Sequence, residues 1–125
     1  MNKEFVLLLM VFMHIIDDYR LQGILSQMKQ KRWWEALPDF NSKYSKDYIV
    51  ALFMHSFSWA FMIMLPVAYT VNFNISTLFL IVFIINLLCH AFVDNSKANN
   101  LKINLIQDQF VHIVQIVITW MIFVN

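Results

Sequence analysis

The sequence predicts an all-α membrane protein, a bundle of four transmembrane helices with one long amphipathic connection on the cytoplasmic side. Three observations predict it. Of the 125 residues, 60% are hydrophobic and 14% are charged, against about 45–50% and about 25% in soluble domains. Three apolar stretches reach the length of about 20 residues that a helix needs to cross a bilayer. No repeat or linker divides the chain, so we expect one domain over residues 1–125.

The first helix is expected over residues 4–25. Its apolar run, residues 5–16, reaches only about 18 Å, so it crosses a bilayer only if the helix continues through the polar residues that follow. Those residues are Asp17, Asp18 and Arg20. The apolar pattern resumes after them at Leu21, Ile24 and Leu25, which favours the longer helix.

The other three helices are expected over residues 47–71, 75–97 and 104–124. A short uncharged turn joins the first two of them, whereas residues 23–46 form the one long connection. This connection contains KQKRWW at residues 29–34, where basic residues adjoin two tryptophans. Such a composition is typical of a segment at the level of the lipid headgroups, and we interpret it as a membrane anchor.

Lysine and arginine are concentrated in two of the connections. The long connection and its helix end carry six of them, the connection before the last helix carries Lys97 and Lys102, and the turn carries none. The positive-inside rule then places both charged connections in the cytoplasm and both termini outside, with a bacterial inner membrane as the expected location. The net charge of +1 gives no reason to expect nucleic acid as a partner, and the lipid bilayer is the expected one.

Four histidines, one in each predicted helix, share one depth. Each lies seven or eight residues from the predicted cytoplasmic end of its helix, about 10–12 Å below the boundary. Three of them have an aspartate four residues away, and the order of the pair reverses with the direction of the helix. The carboxylate therefore lies one turn nearer the cytoplasm in each pair. The pairs are His14 with Asp18, His90 with Asp94, and Asp108 with His112; His55 has no such partner.

This layer of imidazoles and carboxylates predicts a metal site. Ionisable groups inside a membrane span cost about 2.5–3.5 kcal/mol each and mark functional sites. The ligand types suit a divalent ion, zinc or manganese, and their number suits one or two ions. A proton or ion relay built from the same residues is the alternative. The candidate metal ligands are His14, Asp18, His55, His90, Asp94, Asp108 and His112, and the candidate catalytic residues among them are Asp18, Asp94 and Asp108.

Two further polar residues flank the layer and are expected to contact a substrate. Lys97 follows Asp94 at the cytoplasmic mouth, where it could hold an anionic group, and Gln109 adjoins Asp108. For Lys97 the simpler interpretation is a lysine that extends its ammonium group to the interface.

The order of these motifs resembles a family of small phage and bacterial integral membrane proteins of unknown function. The motifs that carry the resemblance are HIIDDYRLQ at residues 14–22, His55, HAFVDNSK at residues 90–97 and DQFVH at residues 108–112. The pattern is also distantly similar to the membrane-bound metal-dependent hydrolases. The first resemblance implies a polar site within the membrane without an established activity, and the second implies metal-dependent hydrolysis.

Three functions are compatible with these observations. The first is a membrane-embedded metal-dependent hydrolase whose site opens to the cytoplasm and acts on a lipid-linked or phosphoester substrate. The second is an ion or proton transporter or channel, which would have to be oligomeric because four spans are too few to enclose a conduit. The third is a phage membrane effector with a structural metal site. A homodimer is a reasonable expectation, since small helical membrane proteins often associate.

Overall fold

The structure, a computed structural model, describes residues 2–125. The described chain is helical, with no β-strand among those residues, which confirms the all-α class. A π-helical turn, Asp17–Leu21, continues the first helix, and a 3₁₀ turn, Ser42–Tyr44, precedes the fourth. The α-helices are α1 (Lys3–Ile16), α2 (Leu25–Met28), α3 (Lys31–Glu35), α4 (Asp47–Thr70), α5 (Thr77–Ala98) and α6 (Leu105–Phe123).

Polar side chains cap the N-termini of three long helices. Asn2 accepts hydrogen bonds from the backbone amides of the first turn of α1, and Ser76 does the same for α5. At α6, the Asn104 side chain accepts from the amide of Gln107, whose own side chain accepts from the amide of Asn104. These caps satisfy amide groups that have no partner within the helix, and so fix where each helix begins.

The four long helices form a closed bundle. Helix α4 packs against α1 and α5, and α6 packs against α5 and α1. One half of the interior is apolar and is filled by Met10, Trp59, Ile63, Met64 and Ile116, each at most 1% exposed. The other half contains the four histidines, also at most 1% exposed, near the end of the bundle where α2 and α3 lie.

The end of α1 widens into a π-helical turn. The backbone amide of Gln22 donates to the carbonyl oxygen of Asp17, 3.1 Å away, so this turn contains one residue more than an α-helical turn. Asp17 is fully buried there and the side chain of Asp18 is 10% exposed, so both consecutive carboxylates face the interior. The helical path ends at Gly23, whose φ of +50° is accessible to glycine at little cost.

Three helical segments are long and apolar enough to cross a membrane: Ser42–Thr70, Thr77–Ala98 and Leu105–Phe123. The sequence predicted four. The first helix falls short because α1 itself has 14 residues and its π-helical continuation contains Asp17, Asp18 and Arg20. Three of the four predicted membrane-spanning helices therefore have the length and composition to cross a membrane.

The outer surface of the bundle is apolar. Large side chains such as Phe92, Ile106 and Phe110 are 74%, 79% and 68% exposed, while the imidazoles are buried. Soluble monomers rarely expose contiguous apolar surface of this kind, because water would have to cover it. This distribution suits a protein whose surroundings are apolar and whose polar groups face inward.

Candidate metal centre

Four side-chain atoms from three parts of the bundle converge near its polar end. They are Oδ1 of Asp18 on the π-helical turn, Nε2 of His55 on α4, and Nε2 of His90 and Oδ2 of Asp94 on α5. His55 Nε2 lies 3.2 Å from His90 Nε2, 3.4 Å from Asp18 Oδ1 and 3.3 Å from Asp94 Oδ2. His90 Nε2 lies 4.0 Å and 3.7 Å from the same two oxygens. We call these four residues the ligand quartet.

The spacing around His55 Nε2 in the ligand quartet is close to that between ligands of one metal ion. Tetrahedral coordination at bond lengths of about 2.0–2.2 Å separates neighbouring ligand atoms by about 3.3–3.6 Å. The five separations above range from 3.2 to 4.0 Å. Two imidazole nitrogens and two carboxylate oxygens are a set that suits zinc, manganese or iron. Buried histidine and aspartate groups here could therefore hold a metal ion.

Asp17 lies beside His55 on the side away from the quartet. Its Oδ2 faces His55 Nδ1 at 3.8 Å, which is within ion-pair distance but too long for a hydrogen bond, and neither atom has a hydrogen-bond partner. Its Oδ1 accepts a hydrogen bond of 2.5 Å from the Ser58 hydroxyl. In metal sites a carboxylate commonly faces the second nitrogen of a ligating imidazole. The two consecutive aspartates thus have different roles, one in the quartet and one behind it.

His14 lies beside the quartet, but both of its ring nitrogens have other partners. The Trp59 indole, which can only donate, gives a hydrogen bond of 2.7 Å to His14 Nδ1. His14 Nε2 must then carry the proton, and it faces Gln109 Oε1 at 3.0 Å. The Gln109 amide in turn donates to Oδ2 of Asp18 and to Oδ2 of Asp108. His14 and Gln109, expected as a metal ligand and a substrate contact, are placed here as parts of a network that positions carboxylates.

Asp108 and His112 form a second group on the other side of Asp94. His112 Nε2 lies 3.4 Å from Asp108 Oδ1 and 3.5 Å from Asp94 Oδ1. Both His112 Nε2 and Asp108 Oδ1 are buried without a hydrogen-bond partner. On the inner side, His112 Nδ1 faces Gln115 Oε1 at 3.2 Å and His90 Nδ1 at 3.3 Å.

Two lysines close the site toward the end of the bundle. Lys29 Nζ lies 2.6 Å from Asp94 Oδ2, and Lys97 Nζ lies 2.8 Å from Asp108 Oδ2. Asn99 holds the segment with Lys29 in place, since its side chain accepts from the Lys31 amide and donates to the Lys29 carbonyl. Lys97, expected to contact a substrate, is the more exposed of the two lysines.

The charges of the site leave a deficit of two positive units. The four buried carboxylates are Asp17, Asp18, Asp94 and Asp108, and Lys29 and Lys97 supply two positive charges against them. Uncompensated charge in a low-dielectric interior is costly. One divalent ion would restore neutrality, and so would two protonated imidazoles, since the histidines lie within ion-pair distance of the carboxylates.

A small cavity leads from the quartet toward the end of the bundle. It has a volume of about 120 Å³ and joins the carboxylates of Asp18 and Asp94 to both lysines. A neighbouring cavity of about 290 Å³ extends it outward past Lys29, Arg32 and Lys97. The site is thus accessible from the end of the bundle that carries the basic residues.

Some of these residues had no signal in the sequence. Ser58 and Trp59 flank His55 without a motif, and Lys29 lies in a connection where it resembles a headgroup anchor. Asp17 precedes a predicted ligand and lies three residues after His14, on the buried face of α1 that also carries Val6 and Met10. The remaining predicted site residues all lie within this end of the bundle.

Comparisons of the chain with protein-family models, with curated proteins and with solved structures give no match. The family resemblance of the motifs therefore stays a prediction. The chemistry of the site follows from its own donors, acceptors and charges.

Proposed function

We propose that the protein is a membrane-embedded metal-dependent hydrolase whose site opens to the cytoplasm. One observation carries the proposal: buried imidazole and carboxylate groups lie close enough together to hold an ion, Asp18 with His55 and His90, and His90 with Asp94 and His112, at the base of a cavity rimmed by cations. Zinc or manganese is the ion that these ligands suit. The motif-level likeness to membrane-bound metal-dependent hydrolases points in the same direction.

The proposed placement has all four long helices in the membrane. With its π-helical turn, the first helix runs from Lys3 to Leu21, about 28 Å at 1.5 Å per residue, which is close to the thickness of a hydrocarbon core. Its acidic residues would lie in the bundle interior rather than in lipid. The basic end, with Lys29, Arg32 and Lys97, would face the cytoplasm, and both termini would lie outside.

The proposed substrate is a phosphoester, either soluble or carried by a lipid. Lys29, Arg32 and Lys97 line the cavity that reaches Asp94, and cations at this position favour an anionic group. The depth of the site near the basic end would put it within reach of a lipid headgroup. Apolar residues at the same mouth, Leu101 and Leu105, are exposed and could contact an acyl chain.

Hydrolysis would form a bond between a water oxygen and phosphorus, break the phosphorus–oxygen ester bond, and pass a proton from water to the leaving oxygen. A divalent ion in the ligand quartet would supply activated water at neutral pH. The chain's own contribution would be to orient His55 through Asp17, to hold Asp18 through Gln109, and to bind the phosphate with the lysines.

The packing of the bundle interior gives less support to the alternative function, an ion or proton channel or transporter. Beyond the histidine layer, the bundle is filled by apolar side chains, among them Met10, Ile63 and Ile116, each fully buried. An ion that reached the quartet from the basic end would meet this apolar packing next. A site approached from one end suits an enzyme better than a pore within one chain.

The experiment that tests the proposal is metal analysis of the detergent-purified protein by mass spectrometry after incubation with zinc or manganese. We expect near-stoichiometric metal in the wild type and its loss in Asp18→Asn and in His55→Ala. His14→Ala is expected to retain the ion, because both His14 nitrogens have protein partners. The metal-loaded protein should then hydrolyse a phosphomonoester in solution or phosphatidic acid in vesicles, and the two arms separate a soluble from a lipid-borne substrate.

Asp39→Asn is the matched control, since Asp39 is an exposed carboxylate of the long connection and is none of the candidate ligands. This variant should bind metal as the wild type does. A wild type that binds no more metal than His55→Ala would contradict the metal site. A metal-loaded protein that hydrolyses neither class of phosphoester would contradict the proposed activity.

A further inference from the structure

Three acceptor atoms meet on the side of Asp94 that faces α6, outside the ligand quartet. They are Asp94 Oδ1, Asp108 Oδ1 and His112 Nε2, with the nitrogen 3.5 Å and 3.4 Å from the two oxygens. Asp108 and His112 are fully buried, and their two atoms in this group have no hydrogen-bond partner. Buried polar atoms without partners are rare, and a group of them requires an explanation.

The contacts of His112 allow its Nε2 to present a lone pair. The Gln115 amide donates to the backbone carbonyl of Asn86 at 3.2 Å, which directs Gln115 Oε1 toward His112 Nδ1, and His90 Nδ1 lies 3.3 Å from the same nitrogen. In the tautomer whose proton is on Nδ1, His112 donates to Gln115 Oε1, and its Nε2 is an acceptor that points at two carboxylate oxygens.

A cation between these atoms would give each of them a partner, and the distances suit a metal ion better than a proton. If His112 Nε2 were protonated, its charged N–H···O bonds would be expected at about 2.7–2.9 Å. The observed separations of 3.4 and 3.5 Å instead match neighbouring ligands around one metal ion, about 3.3–3.6 Å apart. We infer that Asp94 Oδ1, Asp108 Oδ1 and His112 Nε2 form a second divalent-cation site, with the Asp94 carboxylate bridging it to the ligand quartet.

This inference rests on the proposed function, because Asp94 can bridge only if the quartet holds the first ion. Carboxylate-bridged pairs of ions about 3.5–4 Å apart are a recurrent arrangement for phosphoester hydrolysis, in which each ion stabilises one of the reacting oxygens. Three protein ligands leave an open coordination position on the second ion. That position would be available to a phosphate oxygen of the substrate.

The charge of the site predicts when the second ion binds. One divalent ion balances the four carboxylates and the two lysines, so a second leaves two excess positive charges. A hydrogen phosphate dianion would remove that excess. We therefore expect the second ion to bind more tightly when phosphate is present.

The test uses the full-length protein in detergent, loaded with Mn²⁺ with and without inorganic phosphate, and measured by metal analysis and electron paramagnetic resonance. With phosphate, the wild type should hold two ions per chain and give the spectrum of an exchange-coupled pair. Asp108→Asn and His112→Gln should each hold one ion and give the spectrum of isolated Mn²⁺. Asp39→Asn should behave as the wild type.

The outcomes separate this inference from the proposed function. One ion per chain in the phosphate-treated wild type, lost in His55→Ala, would overturn the second site and leave the first intact. No ion in the wild type would overturn both. Two ions retained in both Asp108→Asn and His112→Gln would show that the second ion lies elsewhere. The wild-type measurement decides the question even if one of the variants does not fold.

Discussion

Two adjacent aspartates at the end of the first helix show how closely the role of a residue depends on its partners. Asp18 Oδ1 lies in the ligand quartet, 3.4 Å from His55 Nε2. Asp17 lies behind the same imidazole, facing its other nitrogen, and is held by the Ser58 hydroxyl. One histidine is thus placed between two carboxylates, with one on the metal side and one on the supporting side.

We expect Asp17→Asn to weaken metal binding by about 10–100-fold without abolishing it, the usual effect of removing a supporting carboxylate. The affinity can be measured by competition with a chelator of known strength. Ser58→Ala, which removes only the hydrogen bond to Asp17, should have a smaller effect in the same direction. Complete loss of metal in Asp17→Asn, with retention in Asp18→Asn, would show that Asp17 is the metal ligand and Asp18 the supporting carboxylate.

At the scale of the elements, Asn99 is one of the side chains that attach the long connection to the bundle. Asn99, just after α5, accepts from the amide of Lys31 at 2.8 Å and donates to the carbonyl of Lys29 at 3.0 Å. These bonds hold α2 and α3 over the mouth of the site and direct Lys29 toward Asp94. The connection, predicted as a membrane anchor, also forms one wall of the cavity.

Asn99→Ala should loosen this connection while the metal content stays unchanged. Each lost hydrogen bond contributes about 0.5–1.5 kcal/mol, so amide exchange in residues 25–35 should accelerate by roughly 10-fold or more. Hydrogen–deuterium exchange with mass spectrometry would measure it. Asn100→Ala is the control, because Asn100 is exposed and adjoins the same helix end. Equal protection in the two variants would show that Asn99 does not hold the connection.

The sequence could predict the long helices and the polar layer, because both depend on local periodicity. Apolar runs place α4, α5 and α6, and the spacing of four residues puts His90 and Asp94 on one face. Local spacing could not predict which carboxylate lies beside His55, because Asp17 belongs to a different helix. It also could not place Lys29, whose position depends on contacts with residues 65 to 70 positions away.

Considered as a whole, the molecule has apolar side chains outside and ionisable ones inside. Three helices have the length and composition to cross a membrane, and the basic residues of both longer connections lie at one end. Trp59 connects the apolar and polar halves of the interior. Its ring is buried in the apolar core, and its indole N–H donates a hydrogen bond to His14.

The orientation can be tested with single cysteines. Cys89 is exposed on α5 and would first be replaced by serine. In spheroplasts, Asn74→Cys, in the turn between α4 and α5, should react with a membrane-impermeant maleimide, because this turn is expected outside. Lys43→Cys, in the long connection, should react only after permeabilisation. The opposite pattern would reverse the proposed orientation, and labelling of both in intact spheroplasts would contradict a membrane-spanning arrangement between them.

The π-helical turn at Asp17–Leu21 also has a consequence for how this protein could change by insertion and deletion. Because a π-turn contains one residue more than an α-turn, loss of a single residue there would restore a regular α-helix. The rest of the helix would keep its register, so α1 could still pack against α4 and α6. If the lost residue were Asp17 or Asp18, the shortened chain would have one acidic residue beside His55 where the present chain has two. A one-residue length difference in this turn could therefore separate strong from weak metal binders among otherwise similar sequences.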